Sequence, residues 1–76
     1  MNYYYDIIDK AENPSVIKGI LDTLYGVESI SDAEYDDIVY YAMGVLDRHF
    51  GIDVESRAAE QGFDSYAYML QGLFID

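Results

Sequence analysis

The sequence predicts an all-α fold, a compact bundle of about four to five short helices built as a single domain over residues 1–76. Three observations carry this expectation. Apolar residues recur at three- and four-residue intervals along most of the chain, the spacing that gives a helix one buried face. Asn13-Pro14 and Ser31-Asp32-Ala33-Glu34 have the chemistry of helix starts. Gly26, Gly51 and Gly62 fall where the periodic stretches break, and glycine accepts the left-handed conformation that ends helices.

The first helix is expected over roughly residues 3–11, with Tyr4, Ile7, Ile8 and Ala11 at i, i+3, i+4 and i+7. Tyr3–Tyr5 also suits a strand, because tyrosine favours sheets. Asn13 caps a second helix, and Pro14 takes the first helical position, where its missing N–H costs nothing. Val16, Ile17, Ile20, Leu21 and Leu24 line one face of that helix before Gly26.

The third helix carries the strongest local signal. Ser31 and Glu34 form a capping box, Ile30 and Tyr35 a hydrophobic staple around it, and four acids from Asp32 to Asp37 favour the positive end of the helix dipole. Tyr35, Ile38, Val39, Ala42, Leu46, His49 and Phe50 mark its core face, and Gly51 ends it. Two shorter helices follow. One runs from Asp53 or Val54 to Gln61 and stops at Gly62. The other runs from Ser65 to about Phe74, capped by Asp64 or Ser65. Tyr66, Tyr68, Met69, Leu70, Leu73, Phe74 and Ile75 make it apolar enough to belong to the core or to an interface.

The composition narrows the function. The chain is 51% hydrophobic, too apolar for disorder even at a net charge of −11. No cysteine is present, which removes disulfides, thiolate metal sites and a cysteine nucleophile and favours an intracellular, cytoplasmic setting. Residues 1–6 have neither the basic region nor the apolar run of a signal peptide, and no stretch is long and apolar enough for a membrane span. Fifteen acids against Lys10, Lys18, Arg48 and Arg57 disfavour direct binding to nucleic acid or an anionic membrane. The same balance favours a basic partner.

Neither catalysis nor cofactor binding is indicated. Asp32, Glu34 and Asp36 have the first spacings of a calcium loop, but Asp37 stands where glycine is needed and Met43 where a bidentate glutamate is needed. His49 is the single histidine and sits at a helix end, where packing and the dipole account for it. No nucleophile elbow or phosphate loop occurs. The expectation is a protein that is not an enzyme and has no metal and no cofactor.

Residues 58–73 carry a local resemblance. Ala58, Gly62, Phe63, Tyr68, Met69 and Leu73 resemble the second helix-turn-helix of AraC-type regulators, in which glycine makes the turn and aromatics lock the two helices. That family reads DNA with polar and basic residues on the second helix. Tyr66, Ala67, Leu70 and Gln71 supply no positive charge here, so the resemblance implies the turn geometry without DNA reading.

The outward side of the third helix is the expected binding surface: Glu34, Asp36, Asp37, Tyr40, Tyr41, Gly44 and Asp47, with Arg48 beside them. Asp36 is adjacent to Tyr40 and Asp37 to Tyr41 at i, i+4 spacing. Tyrosine gives rigid contact area with one polar end, and carboxylates would pair with a partner's cations. Gly44 would let a partner approach the backbone, or would mark a close helix crossing if Tyr40 and Tyr41 instead packed against the terminal helices.

In size, charge and aromatic content the whole chain resembles the small acidic inhibitors encoded by phages, DNA mimics and anti-CRISPR proteins among them. The resemblance implies an inhibitor in the host cytoplasm that occupies the basic, nucleic-acid-binding surface of another protein. Acids at 28, 53, 55, 60 and 64 would extend the phosphate-like face. The alternative is a regulatory or scaffold module whose apolar C-terminal helix drives homo- or hetero-oligomerisation, with charge kept for solubility.

Overall fold

A computed structural model describes residues 3–75. Five helices and no strand occur among the described residues: α1 (Tyr3–Asp9), α2 (Pro14–Leu24), α3 (Asp32–Phe50), α4 (Val54–Glu60) and α5 (Ser65–Leu70). The three-tyrosine start is helical, not extended. α3 is the central element and packs against each of the other four, while α2 and α4 both also pack against α5.

The helix starts follow the side-chain chemistry. Asn13 accepts from the Val16 amide at 3.2 Å, with Pro14 directly behind it. Ser31 accepts from the Glu34 amide at 3.1 Å, and both members of the staple, Ile30 and Tyr35, are buried. Asp53 caps α4 through the Ser56 amide and hydroxyl, and Asp64 caps α5 through the Ala67 amide. Each of the four amide bonds satisfies a backbone N–H that the first turn leaves unpaired.

Gly26, Gly51 and Gly62 all adopt positive φ, as their positions imply. Gly72 is a fourth such residue, at φ 70°, and it corrects the extent of the last helix. Regular helix ends at Leu70, where Gly72 donates to the Met69 carbonyl and Leu73 to the Tyr68 carbonyl. This closure turns the chain back, so Phe74 enters the core from a turn and is fully buried. The first helix is shorter than expected for a related reason. Ala11 bonds to the Ile8 carbonyl, a tightened last turn, and α1 ends at Asp9.

The core draws on every helix: Ile8, Ile17 and Leu21, then Ile38, Val39, Val45 and Leu46, then Val54, Ala58, Tyr68 and Met69. Three placements differ from the sequence reading. Val16 is exposed at the edge of α2. His49 is exposed, its ring edge-on to Phe50 with the centres 6.5 Å apart. Met43 and Val45 are buried although neither lies on the expected face. A helix covered by four others needs a wider apolar surface than a single stripe. Tyr35 spans α3 and α2 by donating its hydroxyl to the Leu21 carbonyl at 2.9 Å, which lets a buried phenol keep its hydrogen bond.

Candidate protein-interaction surface

The seven residues expected on one outward surface of α3 divide between two sides. Asp36, Tyr40, Gly44 and Asp47 follow the helical repeat from Asp32, so they rise along one side over about 22 Å. Tyr40 is 55% exposed, and Glu34, Asp36, Asp37 and Asp47 are exposed as well. Tyr41, one residue and 100° further round, faces α1. Its ring stacks on Tyr5 at 4.0 Å with the planes 3° apart, and its hydroxyl donates to both oxygens of Asp9 at 2.8 and 2.7 Å. Tyr41 therefore holds the fold together and leaves the expected surface. The hydrogen bond to Asp9, more than burial, holds its phenol above the usual pKa.

Gly44 does not mark a helix crossing. Among the described residues, the only neighbour within 4 Å of a Cβ placed there is the Arg48 guanidinium, with Nη1 at 2.9 Å. The arginine folds back along its own helix, 5.9 Å from the Tyr41 ring centre. One of the chain's four cations is thereby held on the Tyr41 side of α3.

On the Tyr40 side the surface gains residues from other elements. The Tyr66 hydroxyl of α5 donates to Asp36 Oδ1 at 2.6 Å, and the Tyr66 and Tyr40 rings lie 6.0 Å apart. Partial burial, then the carboxylate beside it, pushes the Tyr66 phenol well above the ordinary tyrosine value, so it stays a donor into the alkaline range. This pair separates two clefts. The smaller, of about 330 Å³, lies between α3 and the start of α4 and is lined by Tyr40, Gly44, Asp47, Asp53 and Glu55. The larger, of about 670 Å³, lies where the α2–α3 turn meets α5 and includes Tyr25, Glu28, Asp32, Asp36 and Tyr66. Neither is lined by lysine, arginine or histidine.

Sequence reasoning missed Tyr25 and the outward role of Tyr66. Tyr25 ends α2 and is 69% exposed, its ring edge-on to Tyr35 at 5.7 Å. An aromatic residue directly before a turn glycine was the available signal. Tyr66 was legible only as part of an apolar run. Most of that run is internal: Tyr68, Met69 and Phe74 are buried, and Leu70 and Leu73 pack against the core.

Over residues 58–73 the chain forms the end of α4, a turn at residues 61–64, and α5. Phe63 donates to the Ala58 carbonyl at 2.8 Å across Gly62. The second helix is short and turned inward, with Tyr66 engaged by Asp36 and Tyr68 in the core. No group of His, Cys, Asp and Glu side chains among the described residues is arranged to hold a metal ion. No described helix is long and apolar enough to cross a membrane. No protein-family model, characterised protein or solved structure matches the chain.

Proposed function

We propose that this protein acts by binding a basic protein surface, one that otherwise holds nucleic acid, through the Tyr40 side of α3. The observation that supports this reading is the placement of Asp32, Asp36 and Asp47 along one side of a rigid helix. Asp53 and Glu55 lie beside them, the exposed Tyr40 ring among them, and no cation lines the two clefts. Asp32 and Asp36 stand about one helical turn apart and Asp47 about three turns further on, so the side carries a line of negative charge that suits a surface built for a nucleic-acid backbone, and tyrosine adds desolvated contact area at little entropic cost. On this reading the chain is an inhibitor of the DNA-mimic or anti-CRISPR kind, acting in the cytoplasm of a phage host, with no direct contact to nucleic acid or membrane.

The alternative of oligomerisation through the C-terminal helix has less to draw on. Tyr68, Met69 and Phe74 are spent on the core, and Ile75 is the exposed member of the run.

Competition is the test. A basic partner captured from the native host is bound to this protein across a salt series, with and without the partner's nucleic acid. The expected result is binding that weakens steeply with salt, is displaced by nucleic acid, and falls at least about tenfold in the Asp36→Lys, Asp47→Lys double variant. Binding that is indifferent to salt, or simultaneous with nucleic acid, would overturn the proposal.

A further inference from the structure

The larger cleft has a composition that the smaller lacks. Its walls include three tyrosines, Tyr25, Tyr35 and Tyr66, beside aliphatic side chains, and its carboxylates are Glu28, Asp32 and Asp36. Tyr35 is fixed by its bond to the Leu21 carbonyl and Tyr66 by its bond to Asp36, so two of the three rings are immobilised before anything binds. Tyr25 is different: it is mostly exposed, edge-on to Tyr35, and lines both this cleft and a second hollow of about 320 Å³ that reaches Asp22. Lys18 is paired with Asp22, and its stem lies over Gly72. No cation of the chain's own lines the cleft.

Aromatic faces backed by carboxylates suit one chemistry above others. A guanidinium stacks flat on a tyrosine ring and takes a carboxylate through paired N–H donors. A lysine ammonium is a compact, strongly hydrated point charge, gains less from stacking, and offers no fork. Asp36 receives Tyr66 on Oδ1, which orients the carboxylate and leaves Oδ2 for an incoming donor.

We infer that the cleft between the α2–α3 turn and α5 is an arginine-accepting pocket, in which a partner's arginine side chain inserts beside Tyr25 and pairs with Asp36 and Asp32. The inference rests on the basic-partner reading above and names the side chain that the surface selects.

The test is a titration of the isotope-labelled protein, followed by backbone and tyrosine-ring NMR shifts. The probes are hexa-arginine, hexa-lysine and the neutral isostere hexa-citrulline. Arginine peptide is expected to bind about tenfold more tightly than lysine peptide, with the largest shifts at Tyr25, Asp36 and Tyr66, and citrulline peptide not to bind. Tyr25→Ala, a truncation of an exposed ring, is expected to remove the arginine preference. Asp36→Asn is expected to weaken arginine binding, and Glu12→Gln, away from the cleft, to leave it unchanged. Equal affinity for the arginine and lysine peptides, shifts spread evenly over the acidic surface, or an arginine preference that survives Tyr25→Ala would each overturn the inference. The peptide experiment needs no native partner. A salt-sensitive complex with the native partner, together with a failed peptide preference, removes the pocket and leaves the proposed function standing. A clear arginine preference with a salt-indifferent native complex does the reverse.

Discussion

The Tyr41 hydroxyl sits 2.7 Å from Asp9 Oδ2 and ties the middle of α3 to the end of α1. Residues 32 apart in sequence meet here, under a stacked Tyr5 ring. The bond assigns Tyr41 to the fold and its neighbour Tyr40 to the surface. Tyr41→Phe is expected to lower the urea midpoint of unfolding and to leave affinity for a basic partner unchanged. Tyr40→Ala is expected to weaken that affinity and to leave the midpoint nearly unchanged. Denaturation and binding measured on the same two variants check both halves.

Glycines at different sites are expected to respond with opposite signs. Gly72 has φ 70°, and a Cβ there would lie 2.6 Å from the Lys18 stem, so Gly72→Ala is expected to destabilise by about 1–2 kcal/mol. Gly19 lies within α2 with nothing within 4 Å of a Cβ, and Gly19→Ala is expected to stabilise by about 0.5–1 kcal/mol. Gly44→Ala meets only the flexible tip of Arg48, so it is expected to be stability-neutral or mildly stabilising. Thermal unfolding of the three variants ranks them.

Phe74 is completely buried although it lies beyond the last regular helix. Phe74→Ala is expected to cost about 3–5 kcal/mol. A domain of this length has a total stability of about 4–11 kcal/mol, so the variant should be largely unfolded at moderate urea. Circular dichroism in a urea series reads this directly.

The pH dependence has a determined sign at each end. Tyr35, Tyr41 and Tyr66 are all raised above the ordinary 10.0: burial leads for Tyr35 and Tyr66, and the bond to Asp9 for Tyr41. Groups with raised folded values contribute fully below about pH 10 and lose that contribution as pH rises through those values. The tyrosinate absorbance that these three phenols contribute should therefore appear together with unfolding, well into the alkaline range. At the acid end, the bonds from the Ser56 amide and hydroxyl hold Asp53 below 3.8, so its contribution is complete above that pH and disappears as pH falls through the folded value. Denaturant titrations at stepped pH, with Asp53→Asn as reference, test the second statement.

What the chain reveals before folding is what short-range chemistry decides. The Asn13 and Ser31 caps and the turns at Gly26, Gly51 and Gly62 each depend on residues a few positions away. Gly72 obeys the same rule but hides among apolar neighbours that extend the helical pattern past it. The surface was legible in its chemistry and only partly in its membership. Tyr40 and Tyr41 are adjacent and alike, and which one α1 covers depends on a contact over 32 residues. Asp36 and Tyr66, 30 residues apart, meet only once α5 lies across α3. Met43 and Val45 are buried because α3 is covered from several directions, an arrangement no single amphipathic stripe encodes.

The central position of α3 has a further consequence. Because it packs against all four other helices, no helix can detach without uncovering part of it. Its amides should exchange with solvent only when the whole molecule opens, and so should be the slowest in the chain. The acidic side is thus mounted on the segment with the least local freedom. A partner would meet side chains already near their final positions, and little binding free energy would be lost to ordering the backbone beneath them.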